Sequence, residues 1–222
     1  MVLQNFAVFE GPDGSGTTTQ LALLKERFTR ESVRLPPLYA CAEPTKGPVG
    51  TLIHSFLHKE IFLCPQTLAL LFAADRNEHL YAPDGIVERC THGALTVCDR
   101  YVLSSLVYQG LSCGVELPLL LNQSFPAPQL LLYFDIDPRV AGERIQARGK
   151  RDAYEYLEFQ MQVREQYEEL LSLCQTHGTR VKRLNAEQPI AELAKEVWSV
   201  LRELPILNEL VSKQLTTNKE AE

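Results

Sequence analysis

Several features that mark other protein classes are missing from this chain of 222 residues. It has no C-x-x-C pair, no G-x-S-x-G nucleophile sequence and no apolar run long enough to cross a bilayer. Its start also lacks the basic, apolar and small-residue segments of a secretory signal. From these absences we expect a cytoplasmic protein with no membrane partner.

An excess of basic residues is lacking as well. Lysine and arginine together number 22 against 28 acidic residues, so the formal net charge is −6. This balance gives no support to a nucleic-acid partner, whose backbone attracts positive charge. Hydrophobic residues at 45% are enough for a substantial core, and the length suits one domain. We predict a domain over residues 1–204 and a polar tail over 205–222.

The cysteines and histidines show no metal-binding spacing. Most of the six cysteines lie inside apolar runs, which predicts buried thiols in a reducing compartment rather than disulfides or metal ligands. His54 and His58 are four residues apart, but the only carboxylate or cysteine near them in sequence is Glu60. No metal site is therefore expected from the pattern of these residues.

The most informative stretch is residues 10–20, with the sequence EGPDGSGTTTQ. A short apolar run, Phe6–Phe9, precedes it, and an amphipathic run follows it. A strand, a glycine-rich turn and a helix in this order are typical of a phosphate-binding loop. Glycines let successive N–H groups converge on one anion, and the helix start adds free N–H groups and a positive dipole end. The alternative is a glycine-rich turn without a ligand.

One position departs from the phosphate-loop pattern G-x-x-x-x-G-K-[ST]. Thr17 stands where the lysine belongs, whereas Thr18 supplies the hydroxyl that ligates magnesium. The segment 143–156 carries Arg144, Arg148, Lys150 and Arg151 around a glycine. We interpret this segment as a lid that closes over a triphosphate and replaces the missing charge. The alternative is a solvated helix end.

The order of apolar runs predicts the fold class. Strands alternate with helices, which indicates an α/β fold of three layers, with about five parallel strands and helices on both faces. The predicted strands are 5–9, 38–41, 94–98, 130–135 and 180–184. Ligands of such sheets bind beyond the carboxyl ends of the strands. We therefore expect the phosphate loop, the Glu43-Pro44 loop and Asp99-Arg100 to lie together.

Two residue pairs carry candidate chemistry. Asp99 at a strand end can hold magnesium through water, and Arg100 beside it can clamp a phosphate. Phe72 and Arg76 are one helical turn apart and could stack on and hydrogen-bond a planar base. The alternatives are an ion pair at a helix start for the first pair, and a core residue beside a surface residue for the second.

Taken in order, these motifs resemble those of thymidylate kinases over about residues 5–200. The matching segments are FEGPDGSG at 9–16, Glu43-Pro44, LFAADR at 71–76, Asp99-Arg100-Tyr101, Ser104-Ser105 and Tyr108-Gln109-Gly110. The resemblance implies a phosphate-loop kinase fold, transfer of the γ-phosphoryl group of ATP to dTMP, a requirement for Mg²⁺, and a homodimer.

The resemblance also implies roles for individual residues. Residues implied to contact ATP are Gly11, Pro12, Asp13, Gly14, Ser15, Gly16, Thr17, Thr18 and Arg148, the last lying over the adenine. Residues implied to contact dTMP are Asp13 at the 3′-hydroxyl, Phe72 and Arg76 at the base, Arg100 at the phosphate, Ser105 near the thymine, Tyr108 at the sugar's 2′ side, and Gln109. Magnesium is assigned to Thr18 and Asp99, and the catalytic groups are Asp99, Arg100, Arg148 and Arg151.

Two departures from the family pattern keep other functions open. Thr17 replaces the loop lysine, and Ala42 stands where many bacterial members carry an arginine for the acceptor phosphate; Lys46 is the nearby candidate to replace it. A non-catalytic nucleotide-binding protein is the first alternative, and a deoxynucleoside kinase is the second. Asp13 and the Glu43-Pro44 loop argue against the second.

Overall fold

The computed structural model describes residues 1–31, 35–147 and 153–208. Its strands are β1 (Val2–Glu10), β2 (Leu38–Ala42), β3 (Leu95–Asp99), β4 (Ala127–Asp135) and β5 (Arg180–Asn185). Its helices are α1 (Thr17–Arg30), α2 (Pro48–Leu57), α3 (Pro65–Tyr81), α4 (Ile86–Thr91), α5 (Val102–Cys113), α6 (Glu116–Asn122), α7 (Pro138–Gln146), α8 (Ala153–Thr176) and α9 (Ile190–Leu201). Within these ranges, no helix combines the length and the hydropathy that crossing a membrane requires.

A single parallel sheet forms the middle of the molecule. The strand order is β2-β3-β1-β4-β5, and every neighbouring pair runs parallel. The central strand β1 is fully buried from Phe6 to Phe9, as expected for a parallel strand that is covered on both faces. The predicted five-stranded α/β fold is thus confirmed.

Alternate residues of β1 pack against different helix layers, because successive side chains of a strand point to opposite faces. Ala7 and Phe9 belong to a core cluster with residues of α1 and α9, including Leu24 and Trp198. Phe6 and Val8 pack instead with residues of α3 and α4. The neighbouring strand β4 adds a third cluster with α5 and α8. Helices therefore cover both faces of the sheet, which makes three layers in all.

Two elements differ from the sequence prediction. Helix α6 was not predicted, since its sequence ELPLLLN is short, uniformly apolar along most of its length and contains a proline. Pro118 stands in the first turn of that helix, where its missing N–H has no partner to lose. Strand β1 begins at Val2 rather than residue 5, and its register against β4 shifts between Leu3 and Ala7.

The predicted domain boundary and lid are only partly covered by the described residues. Leu207 is fully buried in the cluster that contains α1 and α9, three residues beyond the predicted end of the domain. Residues 209–222 of the predicted tail lie outside the described range. Of the predicted lid, the structure describes the end of α7 and the start of α8, and residues 148–152 lie outside it.

The burial of Leu207 generates a stability prediction. Leu207→Ala is expected to lower the free energy of unfolding by about 2–5 kcal/mol, because it leaves a cavity in the core. Leu70→Ala is the matched control, since the Leu70 side chain is 52% exposed, and its effect should be under about 1 kcal/mol. Urea denaturation of both variants measures the difference. Equal, small effects would show that the chain beyond α9 does not belong to the core.

Candidate functional site

Three loops meet at the carboxyl edge of the sheet. Arg100 Nη2 donates to Asp13 Oδ1 at 2.7 Å, which joins the segment after β3 to the loop after β1. The Thr18 hydroxyl donates to Asp99 Oδ2 at 2.6 Å. The Glu43 N–H donates to the Asp99 carbonyl at 3.1 Å, which adds the loop after β2. The predicted convergence of these three segments is confirmed.

The loop after β1 has the backbone of an anion site. Gly14 and Gly16 have φ angles of 85° and 93°, in the left-handed region that glycine adopts without strain. A Cβ at Gly14 would also lie 2.8 Å from the Ala141 carbonyl oxygen. No side chain caps α1, and the buried Ser15 hydroxyl has no hydrogen-bond partner among the described residues. The N–H groups at the start of α1 and the Ser15 hydroxyl are hydrogen-bond donors that suit a phosphate.

Thr17 is buried in the first turn of α1 and brings no charge to the loop. An arginine from α7 does reach it: Arg144 Nη1 lies 3.4 Å from the Gly14 carbonyl, and its Nη2 donates to the Ala186 carbonyl at 3.0 Å. Arg148, Lys150 and Arg151, the other predicted lid cations, lie outside the described residues. Arg144 is therefore the lid cation that the structure places beside the loop.

Thr18 and Asp99 fit a magnesium ion by their chemistry. The Thr18 side chain is exposed at the loop, and Asp99 is buried at the end of β3. Asp99 Oδ1 is buried without a hydrogen-bond partner in the part of the chain that the structure describes. A carboxylate oxygen and a hydroxyl are the hard ligands that Mg²⁺ prefers.

Arg100 is held in a strained and strongly polar position. Its φ of 72° is left-handed, which costs a residue with a side chain on the order of 1 kcal/mol. The guanidinium bonds Ser104 Oγ at 3.3 Å and lies 5.2 Å from the centre of the Tyr108 ring. Burial acts to lower the pKa of Arg100, but Tyr108 and Asp13 outweigh it and hold that pKa well above its ordinary value. A permanent cation thus faces the loop.

A buried carboxylate lies behind this arrangement. Glu10, the last residue of β1, accepts hydrogen bonds from the Tyr101 N–H at 2.9 Å and from Ser104 Oγ at 2.5 Å. The Tyr167 hydroxyl of α8 donates to it at 3.0 Å. Burial raises the pKa of Glu10, although the hydrogen bond from Ser104 opposes the shift. Sequence reasoning treated Glu10 only as part of the loop motif and missed Tyr167 altogether.

Next to the loop is a cavity of about 490 Å³, a size typical of small-molecule sites. Every residue that the sequence assigned to dTMP lines it: Asp13, Phe72, Arg76, Arg100, Ser105, Tyr108 and Gln109. The structure therefore brings these predicted side chains together, and it places them against the phosphate loop through Asp13.

Arg76 is fixed inside this cavity by three partners. Its Nε donates to Glu43 Oε2 at 2.8 Å, its Nη2 to Ser105 Oγ at 3.0 Å, and its Nη1 to Asn122 Oδ1. The side chain is only 1% exposed. Sequence reasoning missed Asn122 because it lies on α6, the helix that was not predicted. Ser105 contacts Arg76 directly, so its hydroxyl acts as a support for the guanidinium.

Comparison with known proteins finds similarity to thymidylate kinases along most of the chain. Residues 9–197 match the family model described as thymidylate kinase. A putative thymidylate kinase of Treponema pallidum is 40% identical over 205 residues, covering 91% of this chain and 97% of that protein. A probable thymidylate kinase of Pyrobaculum aerophilum is 42% identical over 199 residues, covering 89% and 96%. The thymidylate kinase of Anoxybacillus flavithermus is 33% identical over 210 residues, covering 90% and 97%.

The raised pKa of Glu10 predicts a pH dependence of stability. The folded state holds a proton at pH values where the unfolded state, with a pKa near 4.5, has lost it, so folded-state stability falls as the pH rises through that window. Glu10→Gln removes this titration. The unfolding free energy of the variant minus that of the wild type should therefore increase with pH above about 4.5. Urea titrations at several pH values measure it; a constant or decreasing difference would contradict the raised pKa.

Proposed function

Because this chain belongs to the thymidylate kinase family, we propose that it transfers the γ-phosphoryl group of ATP to dTMP, giving dTDP and ADP. The observation that carries the proposal is the contact between Arg100 and Asp13, which joins the cavity to the phosphate loop. Family membership and the names of the relatives support the same reaction. Nothing in the described residues or the comparisons favours the non-catalytic alternative.

The loop provides the binding site for the donor. Backbone N–H groups from Gly14 to Thr18 are the donors that we propose for the ATP phosphates, together with the Ser15 hydroxyl, which has no partner within the described ranges. Arg144 supplies a positive charge in place of the loop lysine, since its guanidinium already contacts the Gly14 carbonyl. We also retain Arg148 and Arg151 as proposed lid residues; both lie outside the described residues.

The cavity provides the binding site for the acceptor. Arg100 holds the phosphate of dTMP. Asp13, which accepts a hydrogen bond from Arg100, also accepts one from the sugar 3′-hydroxyl. The Phe72 ring stacks on the thymine. Arg76 presents Nη1, which carries a second N–H group besides the one bonded to Asn122, to a base carbonyl. Tyr108 and Gln109 also line the cavity, with Tyr108 at the proposed 2′ side of the sugar.

Alignment and charge are what the transfer requires from the protein. An oxygen of the dTMP phosphate attacks the γ-phosphorus of ATP while the bond to the bridging oxygen of ADP breaks. Arg100, which contacts Asp13, and Arg144, which contacts the Gly14 carbonyl, are the cations that we propose to offset the negative charge of the phosphates. Thr18 and Asp99 would hold Mg²⁺, which when bound neutralises charge on the donor phosphates. A homodimer and a cytoplasmic location are further proposals that rest on the family resemblance and on composition.

The reaction is tested by release of ADP from ATP in the presence of magnesium. We expect release that depends on dTMP and saturates with it, whereas thymidine should not replace dTMP. A deoxynucleoside kinase would show the opposite preference between these acceptors. Binding of both nucleotides without turnover would contradict the proposed activity and support the non-catalytic alternative.

The role of Arg144 predicts a kinetic effect separate from acceptor binding. Arg144→Gln should lower kcat by about 10²–10³-fold, because a charge that stabilises the transferring phosphoryl group is lost. The KM for dTMP should change less than about threefold, since Arg144 contacts the phosphate loop and does not line the cavity. Steady-state kinetics with saturating ATP measure both values.

Arg202→Gln provides the control for Arg144→Gln. Arg202 is exposed at the end of α9, whose start contacts α1 beside the loop through Gln20. The helix therefore carries Arg202 away from the site, and its replacement should leave kcat unchanged. An equal fall in kcat in both variants would contradict a role for Arg144 at the donor site. A changed KM for dTMP with an unchanged kcat would contradict it as well.

A further inference from the structure

Three soft ligand groups lie together behind the cavity. Cys41 on β2, His79 on α3 and Cys98 on β3 each have a sulfur or ring nitrogen within 4.8 Å of the other two. Cys41 and Cys98 are direct neighbours in the parallel pairing of their strands, so their side chains share one face of the sheet. We propose that Cys41, His79 and Cys98 form a zinc-binding site.

The spacing of the three ligand atoms suits a metal ion. In a tetrahedral zinc site, bond lengths of about 2.0–2.3 Å put the ligand atoms about 3.5–3.8 Å apart, so the three groups need to close by about 1.3 Å at most. Cys41 and Cys98 are both free thiols in the structure, so their sulfurs are available to an ion.

Glu43 provides the support that a ligating histidine normally has. His79 Nδ1 lies 3.1 Å from Glu43 Oε1, which fixes the ring and directs Nε2 to the metal. The His79 side chain is 7% exposed and the Glu43 side chain 2%. A carboxylate on the second nitrogen of a ligating imidazole raises its basicity and orients it. The other oxygen of Glu43 holds Arg76, so the proposed site adjoins the cavity without sharing its ligands.

The charges also balance with a divalent ion. Two thiolates and one neutral imidazole carry two negative charges, which Zn²⁺ cancels in a region where Cys98 is fully buried. Cys41 is half-buried. Three protein ligands leave a fourth tetrahedral position for water. Binding replaces the thiol protons, including the one that Cys98 donates to the Arg100 carbonyl at 3.1 Å.

The sequence did not indicate this site. None of the three residues is close enough to another along the chain to form a recognised ligand spacing, and the cysteines were expected to be plain buried thiols. The ligands meet only because β2 and β3 are neighbours and α3 packs over their shared face. The site is independent of phosphoryl transfer, so its test does not depend on the proposed activity.

The test measures zinc uptake by the untagged, full-length protein after reduction and removal of metal by a chelator. Excess Mg²⁺ is present throughout so that it occupies the oxygen ligands at the phosphate loop and they do not contribute to the measured Zn²⁺ uptake. Competition with a chromophoric chelator should show about one Zn²⁺ per chain. Co²⁺ used as a probe should give the intense thiolate-to-metal absorption of a tetrahedral site, a readout that requires no variant. Absence of stoichiometric uptake or of that absorption would overturn the proposal.

Variants locate the ion. Cys41→Ser and His79→Gln should each weaken Zn²⁺ binding by about 100-fold or more. Cys174→Ser is the matched control, because Cys174 is a half-buried cysteine on α8, in the cluster on β4 and α5. It should bind Zn²⁺ like the wild type. Circular dichroism before the titration shows that each variant is folded, and equal weakening in all three variants would refute the assignment.

Discussion

The buried carboxylate of Glu10 is the group on which the geometry of the site depends. It ends the central strand at the point where the phosphate loop begins, and donors from α5 and α8 converge on it. A carboxyl group buried without partners would cost several kcal/mol, so these donors cannot move away freely. These hydrogen bonds thereby hold the end of β1, the start of α5 and the helix α8 at fixed positions relative to one another.

The hydrogen bonds to Glu10 also set the direction of the Arg100 side chain beside it. Tyr101 and Ser104 bond Glu10 directly, and Arg100 comes immediately before them in a strained backbone conformation. Its guanidinium is aimed at Asp13 in the phosphate loop. The strain at Arg100 is maintained because the surrounding hydrogen bonds determine its backbone. The position of the proposed acceptor phosphate thus follows from packing behind the loop.

Charge compensation is the explanation that we propose for the absence of the loop lysine. A phosphate loop binds mainly through backbone N–H groups and the helix start, and both are retained around Gly14 and Gly16. What Thr17 removes is one mobile cation. In the proposed function Arg144 supplies a cation from a different element, and its contacts with the Gly14 and Ala186 carbonyls hold it beside the loop.

Local features of the sequence were sufficient for the fold and for much of the site. The strand–loop–helix pattern and the rule for carboxyl ends of parallel strands brought the loop, Glu43 and Asp99 together correctly. The supports of the site were missed because they come from distant segments: Asn122 from an unpredicted helix, and Tyr167 from the middle of a long polar one. Cys41, His79 and Cys98 were missed for the same reason, since only the strand order and helix packing place them together. The predicted roles of Arg148 and Arg151 stay predictions.

The central claim is that amides, Ser15 and an arginine from α7 can bind a triphosphate without the loop lysine. Isothermal titration of the protein with ATP, with and without Mg²⁺, tests it most directly. We expect saturable binding of one ATP per chain that becomes tighter when Mg²⁺ is added, as Thr18 and Asp99 then contribute. No saturable binding in either condition would contradict it.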